Sequence, residues 1–236
     1  MFDVRHIAFT YRAQPVLRDV SFTVSPGETV AVVGDNGAGK TTLLKTLATV
    51  LVPEKGQILV DGRDMLAKPV AYRRLLGYLP ETPALYDDMT VKAYLEYRAR
   101  LKGENEKRLR HRVEEAVRLC RATEILRRPV RALSYGLRKR VALADAVLLR
   151  PRVLLLDDVL AGLDFNLRAA AGEIVSEVSS FSCVVATGHE IVDLARWATK
   201  FLVLRGGVIA AEIPAAGVEP AALVERVGTA LRGGAA

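Results

Sequence analysis

The segment Gly34-Asp35-Asn36-Gly37-Ala38-Gly39-Lys40-Thr41 satisfies the spacing G-x-x-x-x-G-K-S/T. Glycines at these intervals let a backbone curl until its N–H groups converge on an anion, as a phosphate-binding loop requires. Lys40 would neutralise the outer phosphates and the Thr41 hydroxyl would ligate Mg2+, with Thr42 continuing the same site. The apolar run 30–33 precedes the loop and a helical stretch over 40–51 follows, so a helix N-terminus adds its dipole to the anion site. A second constellation lies further along, where the apolar run Val153-Leu154-Leu155-Leu156 ends in Asp157-Asp158. A carboxylate at the end of a buried strand can hold a metal beside bound phosphates, and Asp157 is the residue assigned that role. A phosphate-binding loop alone is shared by kinases, GTPases and motor ATPases, but no N-K-x-D guanine-reading motif is present.

These residues need elements to hold them. Residues 4–10, 16–24 and 28–33 read as short strands separated by turn signals such as Ser25-Pro26-Gly27. A hairpin is expected around 53–62 and a helix-rich block over about 90–150. In that block Leu109, Val113, Val117 and Cys120 recur at steps of four, four and three, the stripe of an amphipathic helix. From residue 153 strand and helix patterns alternate again, as in an α/β chain with parallel strands. The helical block therefore reads as an insertion within an α/β core.

The chain has 236 residues, which at roughly 100 to 200 residues per domain allows one large or two intimate domains. Half its residues are apolar and 26% charged, the composition of a globular protein. Cys120 and Cys183 stand far apart with no CxxC spacing, so a reducing compartment is expected and a structural metal is not. The apolar runs are strand-sized and fall short of the ~20 residues of a membrane helix, and the N-terminus lacks the pattern of a secretory signal. The net charge of +7 is local: residues 92–152 carry 18 Lys/Arg against 7 Asp/Glu, and the remainder 16 against 20. Aromatic residues are not interleaved with those basic ones as base stacking would require, so no nucleic acid partner is expected.

Taken in order, the motifs resemble the nucleotide-binding subunit of ABC transporters over residues 2–212. Between the phosphate loop and the acidic strand lies Leu133-Ser134-Tyr135-Gly136-Leu137, similar to that family's signature, followed by Arg138-Lys139-Arg140. The resemblance implies that Ser134 and the Gly136 backbone meet the γ-phosphate held by a second subunit. It also implies that Tyr11 stacks on adenine, that Asp164, in Ala161-Gly162-Leu163-Asp164, contacts the partner across a dimer interface, and that His189 is the switch histidine at the γ-phosphate. Glu81, in Gly77-Tyr78-Leu79-Pro80-Glu81, stands where a glutamine usually touches Mg2+ and the attacking water. Asp158 stands where a glutamate usually polarises that water, Tyr135 where glycine is usual, and Val159 where proline is usual.

The expected fold is accordingly α/β, a P-loop NTPase core with an antiparallel β subdomain and an inserted α-helical subdomain. One cassette spans 1–236, with 1–81 and 151–213 as core, 82–150 as helical subdomain and 214–236 as C-terminal helix and tail. The implied function is ATP binding and hydrolysis with Mg2+, in a homo- or heterodimer that drives a separate transmembrane permease, tilted towards export by Glu81 and Pro83-Ala84-Leu85-Tyr86. Residues 81–91, with Leu85, Tyr86 and Met89 exposed, are expected to receive the permease. The chain would then sit at the cytoplasmic face of the membrane. Because Asp is one methylene shorter than Glu, Asp158 predicts slow hydrolysis, or hydrolysis aided by a backbone adjustment or a partner subunit. The alternatives are a regulatory ATP sensor and an ABC-type ATPase of DNA repair or translation.

Overall fold

A computed structural model describes residues 1–163 and 165–233. The chain opens with β1 (Phe2–Tyr11) and β2 (Gln14–Val24), an antiparallel hairpin. Its turn residues Arg12 and Ala13 take φ of 43° and 70°, the left-handed geometry that a two-residue hairpin loop needs. β3 (Thr29–Val33) feeds α1 (Lys40–Leu47). That helix is shorter than the expected 40–51, since Thr49 turns left-handed at φ 56°. The hairpin of β4 (Lys55–Val60) and β5 (Arg63–Asp64) pairs back onto β1, and α2 (Pro69–Leu75) leads into β6 (Leu76–Leu79).

Three helices follow: α3 (Val91–Leu101), α4 (Glu106–Leu119) and α5 (Tyr135–Val147). Each begins on a residue suited to an N-cap. Thr90, Asn105 and Ser134 accept from the backbone N–H groups of Ala93, Lys107 and Leu137. The chain then alternates through β7 (Val153–Leu156), α6 (Phe165–Ser179), β8 (Cys183–Thr187), α7 (Ile191–Leu194), β9 (Lys200–Arg205), β10 (Val208–Pro214) and α8 (Pro220–Leu231).

The ten strands of the described residues join one sheet in the order β5-β4-β1-β2-β10-β9-β3-β8-β7-β6. From β9 to β6 the pairing is parallel, and β3, β7 and β8 are buried along their whole length, which is why their sequences are continuous apolar runs. The opposite end, β5-β4-β1-β2, is antiparallel, and over residues 20–24 β2 alternates buried with exposed residues. One apolar cluster lies on the side of the sheet that faces the hairpin and α1, with Phe2, Ile7, Leu43, Leu44 and Leu155. The other runs unbroken from Leu95, Val113 and Val141 in the helical layer to Leu154, Val175 and Phe201. The helical layer thus shares a core with the sheet. Gly77 permits the contact, since a Cβ there would lie 2.3 Å from the carbonyl oxygen of Ala146 in α5.

The basic residues of this layer are largely paired within the chain. Arg98 of α3 and Lys102, which caps its C-terminus, meet the buried Asp145 of α5, with the Tyr94 hydroxyl donating to the same carboxylate. Arg112 bridges Glu104 and Glu115, and Arg150 reaches Glu115 from beyond α5. Of the apolar residues expected to be exposed in 81–91, only Tyr86 is, at 46%; Leu85 and Met89 pack partly buried on the larger cluster. No helix among the described residues is long and apolar enough to cross a membrane.

Candidate functional site

The loop after β3 has the geometry of an anion cradle. Gly37 and Gly39 take φ of 81° and 102°, and Gly39 precedes α1 without any side-chain cap, so the first N–H groups of the helix are free for a ligand. A Cβ at Gly34 would lie 2.4 Å from the Leu204 carbonyl oxygen, and one at Gly39 would lie 3.0 Å from the Val16 side chain. Lys40 is buried, with Nζ donating to the carbonyls of Gly34 at 2.7 Å and Asp35 at 3.1 Å. Burial pushes its ammonium pKa down, against the pull of Asp158, Asp35 and Asp157. Ala38 closes the turn by donating its N–H to the Asp35 carbonyl at 3.1 Å.

Asp157 follows β7 and is 1% exposed. Its Oδ1 accepts from the hydroxyls of Thr41, at 3.1 Å, and Thr187, at 2.9 Å. Oδ2 is buried with no hydrogen-bond partner among the described residues. Desolvation raises this carboxyl's pKa, opposed by the two threonine hydrogen bonds. A buried carboxylate oxygen without a partner, beside a threonine hydroxyl and a phosphate cradle, fits a hard divalent cation. Among the described residues no group of three or more His, Cys, Asp and Glu is arranged to hold a metal ion by itself, so such a cation would need phosphate oxygens to complete its shell.

Thr187 is a site residue that sequence reasoning passed over. It ends β8, whose parallel register with β7 pairs Leu156 with Ala186, so the next residues on the two strands fall side by side. Its hydroxyl also accepts from the Asp158 backbone N–H at 2.9 Å. Asp158 itself takes φ 47°.

The cradle, the acidic pair, Glu81, Thr187 and His189 line one cleft of about 420 Å³, with Asn36 and Thr42 on its wall and Val16 contributed by the hairpin. Glu81 and His189 are exposed at its edge. Tyr11, 43% exposed, stands at the end of β1 edge-on to Phe9 and is not among the lining residues. Ser134 and Gly136 are likewise not among the lining residues. Ser134 is exposed at the start of α5, while Gly136 is buried where a Cβ would lie 2.5 Å from the Leu167 side chain. Asp164 lies outside the described residues.

The site is that of a phosphate-loop nucleotide hydrolase built on a parallel sheet. The family profile described as ABC transporter matches residues 17–161, and the chain belongs to that family as an ATP-binding subunit. It is 31% identical over 209 residues to the uncharacterized ABC transporter ATP-binding protein YxlF of Bacillus subtilis, covering 89% of this chain and 69% of that one. It is 40% identical over 152 residues to the ABC transporter ATP-binding protein NatA of the same organism, covering 64% and 61%. A solved ATP-binding subunit of an ABC transporter, 30% identical, superposes with a TM-score of 0.83 over 100% of this chain and 95% of its own. The protein is therefore an ABC-type ATPase of a transport system. Subunits of this kind dimerise and work with transmembrane permease components.

Proposed function

We propose that this chain binds ATP–Mg2+ in the Lys40 cleft, pairs head to tail with a second cassette, and couples closure and reopening of that dimer to an export permease at the cytoplasmic membrane face. The observation that carries the reading is the convergence of Lys40, Thr41, Asp157, Asp158, Glu81 and His189 on one cleft, with Asp157 Oδ2 buried and unpartnered. Thr41 and Asp157 would hold the cation, which supplies charge neutralisation at the phosphates. Lys40 would meet the outer phosphates, and Asp158 would accept the proton of the attacking water. Glu81 and His189 would orient that water and the γ-phosphate from the rim.

Ser134 supports the dimer. It caps a helix at an exposed position and is not among the residues lining the chain's own nucleotide cleft, so it is free to serve a nucleotide held by another subunit. Tyr11 would stack on the base, Asp164 would lie at the dimer contact, and the 82–150 segment would move as a helical subdomain between core and permease. Within that segment Tyr86 and Tyr97 are exposed and stacked edge to face, a surface suited to a permease segment. The export direction rests on the likeness of Glu81 and residues 83–86 to exporter-type cassettes.

The test combines sizing with ATP hydrolysis. With ATP and Mg2+, an Asp158→Asn variant should run at twice the monomer mass, a Lys40→Ala variant should stay monomeric, and the wild type should release phosphate above the Lys40→Ala background. Co-purification with a polytopic membrane protein, and ATP-driven efflux after joint reconstitution, is the expected transport result. ATP binding without phosphate release or dimerisation would instead mark a sensor.

A further inference from the structure

The run Arg138-Lys139-Arg140 looks uniform in sequence, but α5 rotates its members apart. Arg138 turns to Asp87 at 2.6 Å and Arg140 to Glu124 at 3.2 Å, both partners exposed. Lys139, one residue between them, is 3% exposed and points into the protein. Its Nζ donates to the carbonyl of Asp158 at 2.7 Å and to that of Ala161 at 2.9 Å. Among the described residues no carboxylate lies within ion-pair distance of it. Burial pushes the ammonium pKa down, while Asp158, Glu81 and Asp157 pull it back up.

The neighbouring contacts serve the same junction. The Tyr135 ring lies 5.5 Å from the Lys139 ammonium, on the face that favours a cation. It also covers Gly162, where φ is 70° and a Cβ would lie 2.6 Å from the ring. Its hydroxyl approaches the Glu81 carbonyl at 3.4 Å. The first two turns of α5 therefore touch both acidic loops of the cleft. A buried ammonium directed at two carbonyls of one turn carries a desolvation cost without the return of an ion pair. That arrangement makes sense where the turn itself must be held, and here it contains Asp158 at φ 47°.

We propose that Lys139 is a positioning residue for ATP hydrolysis, its ammonium clamping the Asp158 and Ala161 carbonyls so that the Asp158 carboxylate is aimed into the cleft and moves with the helix that Ser134 caps. The clamp rests on the ATPase reading of that cleft. It makes displacement of the α5 N-terminus, the end presented to a second subunit, a displacement of Asp158 as well. Loss of the ammonium leaves the nucleotide cradle intact and relaxes only the turn, so kcat should fall while ATP affinity holds.

Lys139→Met removes both donors at similar volume; Lys139→Gln keeps a donor and removes the charge. In the purified full chain, the Met variant should lose about 10- to 100-fold in kcat, as expected for misplacement on the scale of 1 Å, with Kd for a fluorescent ATP analogue held within about threefold. The Gln variant should recover part of that loss. Hydrogen exchange should quicken over residues 158–163 in the Met variant and stay unchanged over 34–41. Should the Met variant not fold, the Gln variant carries the same comparison, with a several-fold loss in kcat expected at constant Kd. A kcat within about twofold of wild type, a matched loss of affinity and kcat, or unchanged exchange over 158–163 would each overturn the proposal. If wild-type phosphate release does not exceed that of Lys40→Ala, the ATPase reading fails on its own, and the exchange measurement still judges the clamp.

Discussion

Replacing Asp158 by Glu adds one methylene to the carboxylate at the end of β7, and the structure assigns the change two opposing effects. The backbone at 158 holds φ 47°, fixed by its N–H on Thr187 and its carbonyl under Lys139. Aspartate tolerates that region because its short polar side chain can hydrogen-bond locally, whereas a longer residue meets a cost of about 1–2 kcal/mol. At about 2–4 °C per kcal/mol for a chain of this size, Tm should fall by about 2–8 °C. The longer side chain reaches roughly 1 Å further towards the attacking water, and misplacement on that scale costs on the order of 100-fold in rate. Steady-state phosphate release at saturating ATP–Mg2+ should therefore rise, by up to about 100-fold, in a protein that melts earlier. Asp158→Asn is the control: it keeps the left-handed preference, so Tm should hold, while loss of the base lowers kcat by about 10²- to 10⁴-fold. A Glu variant with intact ATP affinity and a kcat at or below wild type would refute the reasoning.

Two further substitutions separate stability from chemistry. Asp157→Asn should abolish Mg2+-dependent hydrolysis yet raise the Tm of the nucleotide-free protein, read by calorimetry with and without the cation. The sign follows from the raised carboxyl pKa. Between the ordinary value and the raised one, the native state holds more protons than the unfolded state, so stability falls as pH rises, and the neutral amide escapes that loss. A melting point below wild type would count against it. Gly77→Ala should lower stability by about 1–3 kcal/mol, because its Cβ would strike the Ala146 carbonyl and force α5 off β6; urea unfolding with an unshifted midpoint would exclude that account.

The α/β class and the family were legible because the evidence for them is local. The glycine spacing of 34–41, the apolar run ahead of Asp157-Asp158 and the 3.6-residue stripe of α4 each sit within one short window. Thr187 was not legible, because its place beside Asp157 depends on which strand pairs with β7 and in what register. Lys139 escaped for a related reason: three consecutive basic residues differ only in their angle around α5, and the sequence gives no absolute rotation. The exposure expected around Tyr86 does not extend to Leu85 and Met89, which are taken up by the same cluster that joins the helical layer to the sheet.

Both thiols are interior, Cys120 in the helical layer and Cys183 in β8, and burial makes each a poorer thiolate former than a free cysteine. Each belongs to a different apolar cluster. Alkylation can reach either one only when its own cluster opens, so the two rates act as separate clocks within an otherwise thiol-free surface. Equal rates would mean that the two faces of the sheet come apart together, and unequal rates would say which face yields first.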